Sequence, residues 1–339
     1  MPSPSTATSR IVVDKFGGSV LRRPEDIAAA VAAVAAQRAA GERPVVVVSA
    51  FEGVTDAILS AAAVLLPGGA AGLEQPHHDP DSPLARETDR ALATGEALSA
   101  ALFALGLQAR GIRARSFSGA EAGIRTAAAH LGAEVRRVLP RRVRDALAEG
   151  MVPVVAGFQG IGSHGELTTL GRGGTDLSAV VLAVALRADR CELFKDTGGI
   201  LEADPRLVPS ARLLTVVDAF QLELLAEAGA EVVHPVAVRR ARRGKLRLVV
   251  RPVGDGPSSE VRPLRASDGE APMLMAVDRK DRIARISLVG PAARLPELLP
   301  IPAHGAGSFD EGGLRVVWAE VPIDQVARAA QAVHAALMA

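Results

Sequence analysis

With 339 residues the chain is long enough for one large α/β domain and a smaller second one. Hydrophobic residues at 48% and charged residues at 23% are ordinary for a globular protein, and a formal net charge of +1 leaves no electrostatic footprint of a nucleic-acid or membrane binder. One cysteine, Cys191, excludes an internal disulfide framework and a cysteine-based structural zinc site.

The first residues, MPSPSTATSR, lack an apolar signal core, and no apolar run approaches the ~20 residues of a membrane span, so a cytoplasmic protein is expected. The β-branched run at 11–13 predicts a strand that exits into Lys15-Phe16-Gly17-Gly18-Ser19, after which Pro24-Glu25-Asp26 opens a helix to about Ala40. Strand, glycine turn and helix make the βα unit of a parallel sheet, and a lysine leaving the strand's C-terminal end points to the ligand crevice of such a sheet. Residues 45–48, four valines, predict a strand buried on both faces, with an exit loop over 49–56 that contains Thr55.

Residues 66–83 read as an exposed loop; His77, His78 and Asp79 suggest metal binding only weakly there, and no metal site is assigned. A helical period covers 87–107 and is interrupted at Gly95, which costs about 1 kcal/mol against alanine and calls for a close approach to a ligand or to another helix. Glu96 is the charge beside it. A short strand is predicted at 110–116, an amphipathic helix at 135–149 and a strand at 151–159. Gly160, Gly162 and Gly165 satisfy the spacing of a dinucleotide fingerprint, but no helix opens at that turn, and no Walker A motif is present.

The stretch Gly165 to Asp176 is the most site-like in the chain. A glycine-rich loop carrying Arg172 and Asp176 runs into a helix predicted over 177–187, where Gly171, Gly173 and Gly174 permit positive φ and the helix start favours an anion. The alternative is an ordinary connection with Thr175 or Asp176 as the N-cap. A strand at 190–194 then ends in Lys195 and Asp196, followed by Gly199 and the turn Asp204-Pro205-Arg206. Fixed charges and exposed amides of this kind are the parts needed to hold a polyphosphate without a P-loop. Helices at 218–229 and after Pro235, and a strand at 245–252, complete this part.

The blocks KFGGSV, VVVVSAFEGVTD, ATGE, SGAEAGIRT, VVAGFQG, TTLGRGGTDLSA, KDTGGILEADPR and GAEVVHP occur in the order and at the approximate spacing of aspartate kinases, and the chain resembles that family over about residues 10–252. The resemblance implies an α/β, three-layer αβα amino-acid kinase fold and phosphorylation of the aspartate side-chain carboxylate by ATP with Mg2+. It implies that Lys15 neutralises the transferring phosphoryl group, that Gly17, Gly18 and Ser19 face phosphate, and that Asp176 orders the lysine. Glu96 would receive the substrate ammonium, Arg172 would clamp its α-carboxylate, and Thr55 would touch substrate. Lys195, Asp196, Gly199, Asp204 and Arg206 would serve the nucleotide. A same-fold kinase for another carboxylate-bearing amino acid and a non-catalytic regulatory homologue are the alternative readings.

Departures from the family pattern are visible. One hydroxyl of the usual KFGGTSV is lost, the chain has no tyrosine to flank adenine, and Glu231 stands where some members carry a lysine. Three domains are expected: a catalytic domain over 1–252, a linker over 253–270 and a single, degenerate ACT-like domain over 271–339, read as a β-α-β-β-α succession. That module is expected to bind an amino-acid effector or to serve as a dimerisation platform, which makes a homodimer or higher homo-oligomer the expected assembly.

Overall fold

The computed structural model describes residues 10–65, 82–230, 232–263 and 272–337. Contacts divide the chain into two compact units, the first comprising residues 1–196 and 251–256, the second 197–250 and 257–339.

Unit 1 is built on β1 (Ile11–Phe16), α1 (Ile27–Ala39), β2 (Arg43–Val48), α2 (Val54–Leu65), α3 (Pro83–Ala109) and β3 (Ala114–Phe117). It continues with β4 (Ile124–Thr126), β5 (Val135–Val138), α4 (Arg141–Ala148), β6 (Val152–Ala156), β7 (Gln159–Ile161), β8 (Leu167–Thr169), α5 (Gly174–Leu186) and β9 (Arg190–Phe194). Its central sheet runs β9-β1-β2-β6-β3 with every neighbouring pair parallel, so β1 lies inside with partners on both sides. Burial on both faces explains why these strands read as unbroken apolar runs rather than alternating ones. Phe16, Val46, Val48, Val154 and Phe194 share one core with Ile27 and Val31 of α1 and Phe103 and Leu107 of α3. The opposite face of β1 carries Lys15, which meets α5. Helix, sheet and helix thus form three layers within this unit. A second, smaller sheet runs β5-β4-β7-β8.

The region expected as one helix over 135–149 splits into β5 and α4. Pro140 is the physical reason, because it disfavours helical backbone at Leu139 and cannot supply a helix-interior N–H. Helix α3 is longer than the predicted 87–107 and, against the expectation that no segment approaches membrane length, is long and apolar enough to cross one by length and composition. Half of that stretch is buried in this fold, and the helix carries Asp89 and Glu96 at 0% and 3% exposure.

Unit 2 begins with β10 (Ile200–Leu201), β11 (Leu213–Leu214), β12 (Val216–Asp218), α6 (Ala219–Glu227), α7 (Pro235–Arg243), β13 (Arg247–Arg251) and β14 (Ser259–Arg262). Asp218 caps α6 by accepting from the amides of Phe220 and Gln221. The unit ends with β15 (Leu274–Lys280), β16 (Ile283–Pro291), β17 (Gly305–Glu311), β18 (Leu314–Pro322) and α8 (Val326–Leu337). These four strands form an antiparallel sheet ordered β15-β16-β18-β17.

Two expectations about the tail are corrected. Residues 259–262, placed in a linker, are strand β14, paired with β12 and β13. The expected β-α-β-β-α succession is replaced by four strands and one helix: residues 292–299, expected as a helix, are turns and bends, residues 301–303, expected as a strand, form none, and β15 and β17 were not expected. Pro296 in the middle of AARLPELL removes a helix donor. Strand β17, GAGSFDE, has no apolar alternation to announce it and is specified by its pairing with β18.

Candidate active site

The strand β1 delivers Lys15 to the first turn of α5, where its Nζ lies 2.6 Å from Asp176 Oδ1, both side chains 7% exposed. Gly173, in left-handed backbone with φ +72°, starts that helix, so neither Thr175 nor Asp176 is its N-cap and the Asp176 carboxylate is left for the lysine. Lys195, just beyond β9, brings its Nζ to 3.8 Å from Asp176 Oδ2. Burial pulls the Lys195 pKa below the usual lysine range, Asp176 opposes that shift, and Lys15 reinforces it. Two ammonium groups share one buried carboxylate, with the half-exposed Asp196 as a further negative neighbour of Lys195, and preorganised cations of this kind can receive an anion.

A Cβ on Gly17 would lie 2.7 Å from Lys15 Nζ, so a larger residue there would displace the end of the lysine side chain. The lysine folds back over its own turn. Beside it, a cleft of about 280 Å³ is lined by Ser19, Val20, Arg22, Lys195, Asp196 and Val253, among others. Asp196 Oδ2 stands 3.8 Å from the Arg22 guanidinium, with both side chains about half exposed. A Cβ on Gly18 would lie 3.5 Å from the Ala50 carbonyl oxygen, an ordinary contact distance.

Glu96, on the buried face of α3, accepts from the Ala50 amide through Oε1 at 3.1 Å. Its Oε2 is buried and has no hydrogen-bond partner among the described residues. Desolvation pushes the Glu96 pKa up to about 7, against the lowering effect of the Ala50 amide. Gly95 has the reason the sequence demanded: a Cβ would lie 2.8 Å from Ala50 Cβ and 3.2 Å from Val54 Cγ1, so α3 lies close against the loop that opens α2. Thr55 is in the first turn of α2 and half-buried. Arg172 is exposed in the loop between β8 and α5, with Gly171 and Gly173 on either side at φ +73° and +72°.

Among the expected residues, the structure therefore gathers Lys15, Gly17, Asp176 and Lys195, and places Glu96 beside the loop leading to Thr55. Gly199, Asp204 and Arg206 lie in unit 2. There Arg206 and Asp204 bind each other, with guanidinium-to-carboxylate distances of 2.9–3.2 Å. Gly199 has φ +152°, and a Cβ would meet Leu213 Cδ1 at 2.8 Å. Glu231 and the His77, His78 and Asp79 trio lie outside the described residues. Asp89 is a buried charge that sequence reading passed over; its signal was the seven-residue spacing from Glu96, which puts both on one face of α3.

The face of β1 opposite Lys15 carries a second cluster. Asp14 is fully buried, accepts from Gln37 Nε2 at 3.1 Å, and burial with the neighbouring Glu192 carboxylate raises its pKa well above the usual range. Glu192 itself is held by Arg190 at 2.6 Å and Arg251 at 3.3 Å. A carboxyl whose pKa is raised by folding favours the folded state below its unfolded value of about 3.9 and loses that contribution as pH climbs toward the folded value. Asp14→Asn is therefore expected to raise the melting temperature more at pH 8 than at pH 5. A difference that does not change with pH would show that Asp14 is not held protonated.

The pattern of the amino acid kinase family matches residues 10–252. The aspartokinase of Mycolicibacterium smegmatis is 37% identical over 324 residues, covering 93% of this chain and 70% of that one. Aspartokinase 2 of Bacillus subtilis is 35% identical over 291 residues, covering 86% of this chain and 68% of the relative. In fold, the chain resembles E. coli aspartokinase III, solved with aspartate and ADP, at a TM-score of 0.78, with 20% identity over 97% of this chain and 100% of that one. The chain belongs to the amino acid kinase family and, within it, to the aspartokinases.

Proposed function

We propose that this protein transfers the γ-phosphoryl group of ATP to the side-chain carboxylate of L-aspartate, giving 4-phospho-L-aspartate and ADP. A carboxylate oxygen of aspartate forms the new bond to phosphorus as the bond from phosphorus to the β,γ-bridging oxygen breaks, and that oxygen leaves with ADP. The nucleophile is already ionised at neutral pH, so no general base is needed. What such a reaction asks of the protein is position and charge stabilisation.

The observation that carries this reading is the buried Lys15–Asp176–Lys195 cluster over Gly17, together with an unpartnered oxygen on Glu96. Lys15 faces the transferring phosphoryl group and Asp176 holds it there. Lys195 and the Gly17–Ser19 turn serve the phosphates, with Asp196 at the edge of the same cleft; Gly199, Asp204 and Arg206 are assigned to the nucleotide on the family pattern. Glu96 receives the substrate ammonium, Arg172 its α-carboxylate, and Thr55 contacts the substrate beside the same loop. Mg2+ is taken to arrive with the nucleotide. Bound there, Mg2+ would neutralise phosphate charge.

The same proposal assigns residues 1–252 to catalysis and 271–339 to a single degenerate ACT-like module, and takes the chain to be a cytoplasmic homo-oligomer. An ADP-release assay across aspartate, glutamate and N-acetylglutamate tests the substrate: turnover with aspartate is expected, and its absence would overturn the reading. Arg172→Ala and Glu96→Gln are each expected to raise KM for aspartate about tenfold or more while leaving that for ATP nearly unchanged.

A pH dependence follows from Glu96. Because its carboxyl titrates near pH 7 and an ammonium is bound by the ionised form, KM for aspartate is expected to fall as pH rises from 6 to 8. The substrate ammonium stays charged over that range. Glu96→Gln should flatten the profile, and a wild-type KM constant across those pH values would remove Glu96 from the ammonium site.

A further inference from the structure

The two buried carboxylates on α3 differ in one respect. Glu96 keeps an oxygen without a partner, whereas Asp89, at 0% exposure, is saturated by protein donors. Thr169 donates its hydroxyl to Asp89 Oδ1 at 2.5 Å, the Leu131 amide donates to both oxygens at 3.2 and 3.3 Å, and His130 Nδ1 lies 2.7 Å from Oδ2. Protein groups hold both oxygens of this fully buried carboxylate, which places it to tie backbone and side chains together rather than to meet substrate. Its partners lie instead on two loops, the end of β8 that leads to Arg172 and the turn at 130–132.

Those loops are joined to each other as well. The amides of Gly132 and Ala133 both donate to the Thr169 carbonyl, at 3.1 and 2.8 Å. Thr126 and Thr168 hydroxyls meet at 2.8 Å beneath them. A Cβ on Gly171 would come to 3.3 Å of Gly132 Cα, so the backbone just before Arg172 rests against the 130–132 turn. Leu131 is held in left-handed backbone at φ +57°, a conformation a leucine adopts only when its surroundings impose it. In that conformation the Leu131 amide donates to the Asp89 carboxylate.

We propose that Asp89, acting through Thr169 and the His130–Gly132 turn, is a positioning residue for the Arg172 loop and thereby sets affinity for the α-carboxylate of the substrate. This rests on the reading of Arg172 as the α-carboxylate clamp. One helix then organises both poles of an amino-acid site: Glu96 takes the ammonium directly, and Asp89, two turns earlier, holds the loop that takes the carboxylate. Asparagine is a poor replacement at 89, because its amide nitrogen would face donors rather than accept from them.

Steady-state kinetics of the full chain test this. Asp89→Asn is expected to raise KM for aspartate at least tenfold, with kcat at saturating aspartate and KM for ATP within about twofold of wild type. In a double-mutant cycle its effect should largely vanish on the Arg172→Ala background, because both changes remove the same clamp. Thr169→Val should act in the same direction, and Thr169→Ser, which keeps the hydroxyl, should restore wild-type KM; this pair carries the test if Asp89→Asn fails to fold. Effects that add independently to Arg172→Ala, a Thr169→Ser variant as impaired as Thr169→Val, or a KM for aspartate unmoved by Asp89→Asn would each overturn the positioning role. Wild-type enzyme that turns over aspartate while Arg172→Ala leaves its KM unchanged would locate the failure in the clamp reading, and the proposal would fall with it.

Discussion

Lys15→Met is expected to lower kcat by roughly 10²-fold or more, with much smaller changes in KM for either substrate. Methionine has nearly the length of lysine and fits the apolar part of the same path, so the substitution removes charge more than volume. The charge is placed for use: Nζ is pinned 2.6 Å from Asp176 and lies over Gly17, where a Cβ would come to 2.7 Å, so the ammonium is held in one position before any ligand arrives. Preorganised charge of this kind acts on the phosphoryl group as it transfers, and a 10²-fold loss corresponds to about 2.7 kcal/mol of transition-state stabilisation. Asp176 keeps Lys195 as a neighbouring cation at 3.8 Å, so the variant is not left with an isolated buried carboxylate. Turnover within a few-fold of wild type, in a variant that melts as wild type does, would remove Lys15 from the chemistry.

The second large effect is expected from the tail. A chain ending at Val253 should lose the cooperative folding of residues 197–250 and not merely an oligomer contact. Ala203, Leu207 and Val208 share a single core with Met275, Ile286, Leu288, Val317, Val321 and Val333, so the truncation would expose their apolar side chains to water. Polar ties run the same way. The Met275 amide donates to the Glu202 carbonyl at 2.7 Å, His334 Nε2 meets Glu202 Oε1 at 2.9 Å, and Gln331 donates to the Leu207 carbonyl at 2.9 Å. Glu202 is itself 3% exposed, and without His334 the ion pair left to it among the described residues is with Arg212. In the full chain, Leu288→Ala should cost about 2–5 kcal/mol, the range for a truncated buried leucine. Thermal melts and proteolysis of both variants check this. A truncated chain that melts in one transition at the wild-type temperature would show that the tail is a separate platform.

The expected boundary at residue 252 did not anticipate that residues 203–208 share a core with residues 275–333. The sequence contains the apolar residues of both segments, but their common core pairs positions some seventy to a hundred and thirty apart, and nothing in local periodicity records that distance.

What the sequence determined by itself was whatever depends on near neighbours. The valine runs of β1 and β2 are apolar enough for a sheet buried on both faces, and the glycines after them allow a tight turn, so Lys15 at a strand exit was legible. Gly171 to Gly174 announced the left-handed start of α5 in the same way, and Gly95 announced a close crossing without naming the Ala50 loop it meets. Only the tertiary structure decided how adjacent charges divide. Asp14 and Lys15 are consecutive, yet the alternation of β1 sends one toward Gln37 and Glu192, where burial raises its pKa, and the other to Asp176. Asp89 and Glu96 share one helical face, and it is the loops arriving from residues 130–132 and 169 that saturate the first and leave the second an open oxygen. A carboxylate's role follows from the donors within about 3 Å of it, and those donors are assembled from distant parts of the chain only when it folds.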